Sequence, residues 1–285
     1  MMAKKYAETV LMNTVEVFNM DKDLFIKAWD KKELNLKKSE EFWDLRAEEF
    51  NQSTETEPLI EMFIKEGVID SNSEVLDLGC GPGKYSLEFA SIARNVTAVD
   101  ISSNMLNCAK KNAEQKGLKN IDFYKASWQE TDLNKFKWHK KFDLSFASMT
   151  PGIINPEDFF KLLDSSKGYC YVSGFLERED KLKDRLEEYL GIKKPRENDT
   201  KIYYMFNILW NMGIYPNIKY IDRTWDKVLP IQKAYAYFCG QFEQDGSLTE
   251  EICENVSEFL EKEAVNGVIK ETIKSKIAQI YWKVN

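Results

Sequence analysis

The segment Val75-Leu76-Asp77-Leu78-Gly79-Cys80-Gly81-Pro82-Gly83 constrains this chain more than any other stretch. An apolar run carrying an acid, three glycines at alternate positions and then an amphipathic run predict a strand that turns tightly into a helix. Glycine reaches backbone angles closed to other residues and lets the chain pass close to a ligand. The free amides at the following helix N-terminus favour an anionic group. A ligand is therefore expected over this turn. The next apolar run, Val96 to Val99, ends in Asp100, whose carboxylate is able to accept both hydroxyl hydrogens of a ribose. Turn and acid together define an adenosine site. The spacing differs from the dinucleotide fingerprint, in which the third glycine falls three places on, a region held here by Lys84 and Ser86.

Short apolar runs alternate with amphipathic helices from here onward, the rhythm of crossover units on a parallel sheet. Strands are read at Glu74 to Leu78, Asn95 to Val99, Ile121 to Lys125, Phe142 to Ser148 and Gly168 to Phe175. Helices are read at Tyr85 to Ala93, Met105 to Lys116 and Pro156 to Ser165. Then come a charged helix (Arg178 to Leu190), a polar linker (Lys193 to Thr200), an aromatic-rich helix ending near Gly213 and a strand at Ile218 to Trp225. Helices at Ile231 to Phe242 and Thr249 to Glu263 and a strand at Lys276 to Val284 complete the chain. Before the first strand, residues 6 to 50 show helical spacing, Pro58 suits the first turn of another helix and Gly67 terminates it. The expectation is an α/β fold: a helical cap over residues 1–57, then a ligand-binding domain over 58–285 with a helical, aromatic-rich insertion at about 190–270. The charge runs Glu177 to Asp180 and Glu187-Glu188 read as a solvated helix face.

Composition narrows the function. With 43% apolar and 31% charged residues the chain is globular, and its formal charge of −7 disfavours a nucleic-acid backbone or an anionic membrane as partner. No apolar run approaches the roughly 18 residues of a membrane span, and Met1 to Met20 mixes charges into its apolar positions, so a cytoplasmic location is expected. The five cysteines lack the paired spacing of a zinc site and His139 is the single histidine, so no metal is expected.

The run Asp77-x-Gly79-x-Gly81-x-Gly83 resembles the first motif of the class I S-adenosylmethionine-dependent methyltransferases, and the likeness extends over about residues 40 to 175. It implies a doubly wound, mostly parallel, seven-stranded Rossmann-like sheet and S-adenosylmethionine as cofactor. It also implies roles for particular residues: Gly79, Cys80, Gly81 and Gly83 around the amino-acid end of the cofactor, Asp77 on its ammonium, Asp100 on the ribose and Ile101 on the adenine. The family's Asp after the third strand is replaced by Ser127, whose hydroxyl is able to accept from the adenine amino group, with Trp128 as a stacking candidate. Ser148, where the fourth strand ends, is a further cofactor candidate at the substrate mouth. Arg46, in the stripe Trp43, Arg46, Phe50, is a candidate partner for the cofactor carboxylate or for an acidic substrate, with a plain surface salt bridge as the alternative.

The mouth reads Ala147-Ser148-Met149-Thr150-Pro151-Gly152 and lacks the Asn or Asp followed by Pro-Pro and an aromatic residue by which some relatives bind planar amino groups. Methyl transfer from a sulfonium is an in-line displacement, so positioning in a dry pocket suffices and a general base is optional. No catalytic residue is assigned, and His139 lies in a basic loop before the fourth strand. The reading is methyl transfer to an O or N atom of a small molecule, with selectivity from the aromatics at Tyr203, Tyr204, Phe206, Trp210, Tyr215, Tyr235, Tyr237 and Phe238, or plain packing of those rings. A protein or RNA methyltransferase and a cofactor-binding protein without turnover are the alternatives.

Overall fold

A computed structural model of the chain describes residues 22–29, 34–52, 59–192, 200–244 and 246–284. Seven strands, β1 (Glu74–Leu78), β2 (Asn95–Asp100), β3 (Ile121–Lys125), β4 (Phe142–Ser148), β5 (Ser166–Glu179), β6 (Asn217–Pro230) and β7 (Val268–Lys283), form one sheet. Their order is β3-β2-β1-β4-β5-β7-β6, with β7 antiparallel to both neighbours and the other pairings parallel. The chain winds outward from β1 to β3 and then crosses back to β4. The crevice of this doubly wound sheet therefore lies beyond the carboxyl ends of β1 and β4.

Both faces of the central strands are covered, which is why β1, β2 and β4 read as nearly unbroken apolar runs. On one face α3 (Leu59–Lys65) and α4 (Lys84–Ala90) bury Phe63 and Phe89 against Val75, Val96, Phe146 and Tyr171. On the other, α1 (Lys22–Ala28), α7 (Pro156–Ser165) and α9 (Lys201–Asn211) bury Phe25, Phe159, Leu162 and Ile208 against Leu76, Leu78, Val172 and Trp282. Between the strands on the β3 side run α5 (Ser103–Gln115) and the short α6 (Leu133–Phe136). Gly67, at φ 67°, ends α3, with Val68 N–H donating back to Phe63 O. Pro58, residues 1–21 of the expected cap and the linker at 193–199 lie outside the described residues.

A separate core rises beyond the carboxyl edge. Here α2 (Leu36–Gln52), α8 (Lys181–Tyr189), α10 (Ile231–Gln244) and α11 (Glu250–Glu263) pack Phe42, Leu182, Leu186, Phe238, Phe242, Val256 and Leu260 against Ile269 of β7. Because β6 runs parallel to β5, its end at Pro230 lies on the same edge as Ser148, and α10 and α11 form a lid above it.

The strands leading into this lid are longer than the sequence pattern predicts. β5 continues past Phe175 through an irregularity to Glu179, β6 continues past Trp225 to Pro230, and β7 starts at Val268 rather than Lys276. The run Glu177 to Asp180 is accordingly no helix face: its first three residues finish β5, and the buried Asp180 caps α8 by accepting from Lys183 N–H at 3.1 Å. Charged residues at Asp222, Arg223, Asp226 and Lys227 hide the strand from a hydrophobic pattern, while unbroken pairing with β7 keeps its backbone satisfied. Among the described residues no helix is long and apolar enough to cross a membrane.

Candidate active site

The glycine turn is built by backbone geometry. Gly79, Gly81 and Gly83 stand at φ 71°, 54° and 86°, and the amides of Gly79 and Cys80 both donate to Val99 O, at 2.8 and 3.0 Å. A methyl group on Gly79 would lie 2.1 Å from Thr150 Oγ1, and one on Gly83 would lie 3.0 Å from Ala109 Cβ, so packing alone demands both glycines. At Gly81 the nearest such contact is Met105 Sδ at 3.9 Å. That glycine faces room, a cradle for a ligand in the crevice.

Two buried carboxylates flank the cradle. Asp100 accepts from Gly81 N–H and from Ser102 N–H, each at 2.8 Å, while burial raises its pKa. Each of its oxygens keeps a lone pair for a ribose hydroxyl. Asp77, fully buried, accepts from Ser86 Oγ at 2.5 Å, and burial, with a smaller push from Asp100, lifts its carboxyl to about 7. Among the described residues no lysine or arginine pairs with either acid. A ligand bringing a cation and a diol supplies what this site lacks, and the ammonium and ribose of S-adenosylmethionine fit it.

Helix α2 is fastened to the same place. Asp44 accepts from Ser102 Oγ at 2.5 Å and from Asn104 N–H at 2.9 Å, and its carbonyl accepts from Asn104 Nδ2 at 3.2 Å. Ser102 in turn caps α5 by accepting from Met105 N–H. This anchor carries Arg46, whose guanidinium lies 4.8 to 5.4 Å from the ring centroids of Phe42, Trp43, Phe50 and, from the lid, Tyr237. It also meets Glu49 at 3.4 Å. Arg46 thus joins α2 to the lid.

The remaining candidates separate. Ser127 lies at the end of β3, buried, its Oγ accepting from Glu130 N–H at 3.2 Å and keeping one lone pair. Trp128 is turned away: its ring is 2% exposed, its N–H donates to Asp158 O at 3.0 Å, and Lys161 covers it, so it offers no face to an adenine. Ile101 follows Asp100 half-buried, and Ser148 Oγ bonds Ser173 Oγ at 3.0 Å at the carboxyl end of β4. Next to it Met149 takes φ 51°, a left-handed angle that side chains resist, and Thr150 packs down on Gly79. His139 is exposed at the opposite, amino end of β4. Burial pushes the Cys80 thiol well up and the Cys170 thiol to about 12, so neither is a nucleophile.

The family model described as a methyltransferase domain matches residues 69–232, more than half of the chain. The chain belongs to this family. It is a class I S-adenosylmethionine-dependent methyltransferase. An uncharacterized protein of Haemophilus influenzae is 24% identical over 229 residues, covering 76% of the methyltransferase and 78% of the relative. The release factor glutamine methyltransferase of Buchnera aphidicola is 28% identical over 58% of this chain and 68% of its own. A SAM-dependent methyltransferase of Aquifex aeolicus superposes with a TM-score of 0.47 at 16% identity, over 85% of the methyltransferase and 98% of that chain.

Several residues at the carboxyl edge escape the sequence reading. Asp44 stands among other acids of α2 with nothing local to mark it. Lys227, Arg178 and Glu271 sit on the strand extensions, where the register brings Lys227 beside Glu271. Burial alternates only over 221–230, and Arg223 and Lys227 share a face with Ile221, Trp225 and Leu229, so apolar spacing in the sequence does not mark Lys227.

Proposed function

We propose that the methyltransferase transfers a methyl group to an O or N atom of a small-molecule acceptor held between the carboxyl ends of β4 and β5 and the lid. The observation that carries this reading is the lid itself. It has its own hydrophobic core, and α2, packed into that core, is bonded through Asp44 to Ser102 and Asn104 just beyond Asp100, so a covering element is tied to the edge of the crevice. A covered crevice suits an acceptor that can be enclosed and kept dry.

When bound, S-adenosylmethionine supplies an electrophilic methyl on a sulfonium. The protein's own part is to hold and orient. Gly79, Cys80 and Gly81 would present backbone to its amino-acid end, Asp77 would take the ammonium, and Asp100 would take the ribose hydroxyls. Ile101 and Ser127 would border the adenine, and Ser148 would border the cofactor at the substrate mouth. Trp128 is left out because its ring is enclosed, and Arg46 is placed in the lid because four rings and Glu49 surround it. With such a leaving group, alignment and exclusion of water carry the rate.

A protein acceptor, as in the name of the Buchnera relative, is disfavoured by the mouth sequence Ser148-Met149-Thr150-Pro151-Gly152, which lacks the planar-amide motif. RNA is disfavoured by the charge of −7. Incubating the purified protein with methyl-labelled cofactor and a fractionated cell extract tests this. Label in the metabolite fraction is the expected result; label confined to protein or RNA overturns the proposal.

A further inference from the structure

Under the lid, β5, β7 and β6 form a three-stranded wall whose register puts Arg178 beside Ser275, Trp225 beside Ile273 and Lys227 beside Glu271. Residues directly opposite across antiparallel strands share a face, and so do every second residue along β7. Arg178, Ser275, Trp225, Lys227 and Glu271 therefore look the same way. The Arg178 guanidinium lies 5.5 Å from the Phe175 ring and 5.8 Å from Trp225, rings that stack at 6.4 Å. Lys227 Nζ stands 3.3 Å from the centroid of Tyr237, the ring that also borders Arg46 at 5.0 Å.

The charges here do not cancel. Arg46 has Glu49 at 3.4 Å and Arg178 has Asp180 at 3.3 Å. Lys227 has no hydrogen bond and no ion pair among the described residues. Its neighbour Glu271 is engaged elsewhere: it accepts from Leu182 N–H at 2.7 Å, and burial together with the Asp180 carboxylate pushes its own carboxyl up to about 7. Burial lowers the Lys227 ammonium to about 8, which leaves it mostly protonated at neutral pH. The carboxylates whose charge reaches Lys227, Glu49 and Asp180, are each already paired with an arginine, and a largely buried ammonium with no ion pair of its own is costly unless something else supplies one. A second orphan sits on the same wall, since Ser275 Oγ is buried with no partner. Beside Lys227 a cavity of about 10 Å³, lined by Leu182, Leu229, Phe238 and Glu271, has room for one water-sized group.

We propose that the acceptor is a small organic anion whose carboxylate docks on Lys227 and Arg178 beneath the lid, an assignment that rests on the small-molecule reading above. The carboxylate gives Lys227 an ion pair of its own, and the rings of Phe175, Trp225 and Tyr237 form an apolar rim for the acceptor's body. Lys227 and Arg178 are thereby specificity determinants rather than members of the cofactor site.

The probe is benzoate, titrated by saturation-transfer NMR into the S-adenosylhomocysteine-loaded protein, with neutral benzamide as the matched control. Benzoate is expected to bind saturably and benzamide not, with benzoate affinity falling roughly tenfold or more in Lys227→Met and in Arg178→Gln, as when a charge-assisted hydrogen bond is lost. Lys262→Met, on the exposed side of α11, should leave it unchanged. Lys227→Met should also raise the melting temperature, because it removes a largely buried charge that has no ion pair of its own. Equal binding of the two probes, or benzoate binding indifferent to Lys227→Met, overturns the proposal; so does a fall in melting temperature, which makes Lys227 a structural residue. The extract labelling fails separately: methylation of neutral metabolites alone removes the anion and keeps the small-molecule reading, whereas methylation of macromolecules alone removes both.

Discussion

At the glycine turn the polar groups are two buried carboxylates, Asp77 and Asp100, and the backbone amides that surround them; under the lid they are three cations, Arg46, Arg178 and Lys227, laid against aromatic rings. The first region is drawn from a short stretch of chain whose shape is fixed by main-chain angles. The second is assembled from α2, β5, β6, β7 and α10 and is shaped by side chains. On the proposal above, the opposite charge of the two regions is a division of labour. The acidic half suits a cofactor that brings its own cation and diol, and the basic half suits what the cofactor does not bring. The two halves touch through Asp44 and Arg46 of α2.

The comparison breaks most visibly at Gly79. Gly79→Ala adds a methyl 2.1 Å from Thr150 Oγ1 at φ 71°, so overpacking and the left-handed penalty add to about 2 to 5 kcal/mol. Its melting temperature and cofactor affinity should both fall sharply. Gly81→Ala carries only the penalty for φ 54°, about 1 to 2 kcal/mol, and equal losses in the two variants would refute the packing account of the turn.

Asp100→Ala removes the acceptor of two backbone amides as well as the proposed ribose contact. The dissociation constant for S-adenosylmethionine should rise roughly 10- to 100-fold, in line with about 1.5 to 3 kcal/mol for a hydrogen bond to a charged group. An unchanged constant in a calorimetric titration removes the assignment.

Asp77 sharpens the contrast through pH. Its folded pKa of about 7 lies above the ordinary 3.8, so the folded state holds the proton more tightly than the unfolded chain. The contribution to stability is complete below the unfolded value and is lost as pH rises through about 7. The cofactor-free protein should therefore lose melting temperature between pH 4 and 7 by an amount that Asp77→Asn abolishes. A wild type and variant with parallel profiles would mean that Asp77 is ionised in the fold.

The smallest effect concerns the joint between the halves. Asp44→Ala leaves Asn104 N–H without its acceptor at the start of α5, a loss of about 1 kcal/mol. It should speed hydrogen exchange along α2 while changing the melting temperature little. Exchange as slow as in the wild type would mean that the lid core alone holds α2.

What the sequence discloses follows the same division. Asp77, the glycines and Asp100 form a local pattern in which each residue type has a backbone reason, and β1, β3, β4 and α7 begin and end where periodicity and the Pro156 start put them. Trp128 is misread because the side to which its ring turns is decided by Asp158 of α7, a neighbour distant in sequence. Lys227 and Arg178 are illegible for a related reason. Their meaning depends on a strand register fixed by β7, which arrives only at the end of the chain, and on a lid helix that brings Tyr237 across. Aromatic residues expected as one acceptor lining divide as well: Tyr203 and Tyr204 pack on Phe25 of α1 and on Trp29 just after it, and of this set, among the described residues, only Tyr237 reaches the cations.

Calorimetric titration of S-adenosylhomocysteine into the wild type, Asp100→Asn and Lys227→Met tests the separation of the two halves most directly. The account predicts saturable binding to the wild type, an unchanged constant for Lys227→Met within about threefold, and binding weakened roughly tenfold or more for Asp100→Asn. Equal losses in both variants, or a loss in Lys227→Met alone, would place the cofactor under the lid and contradict it.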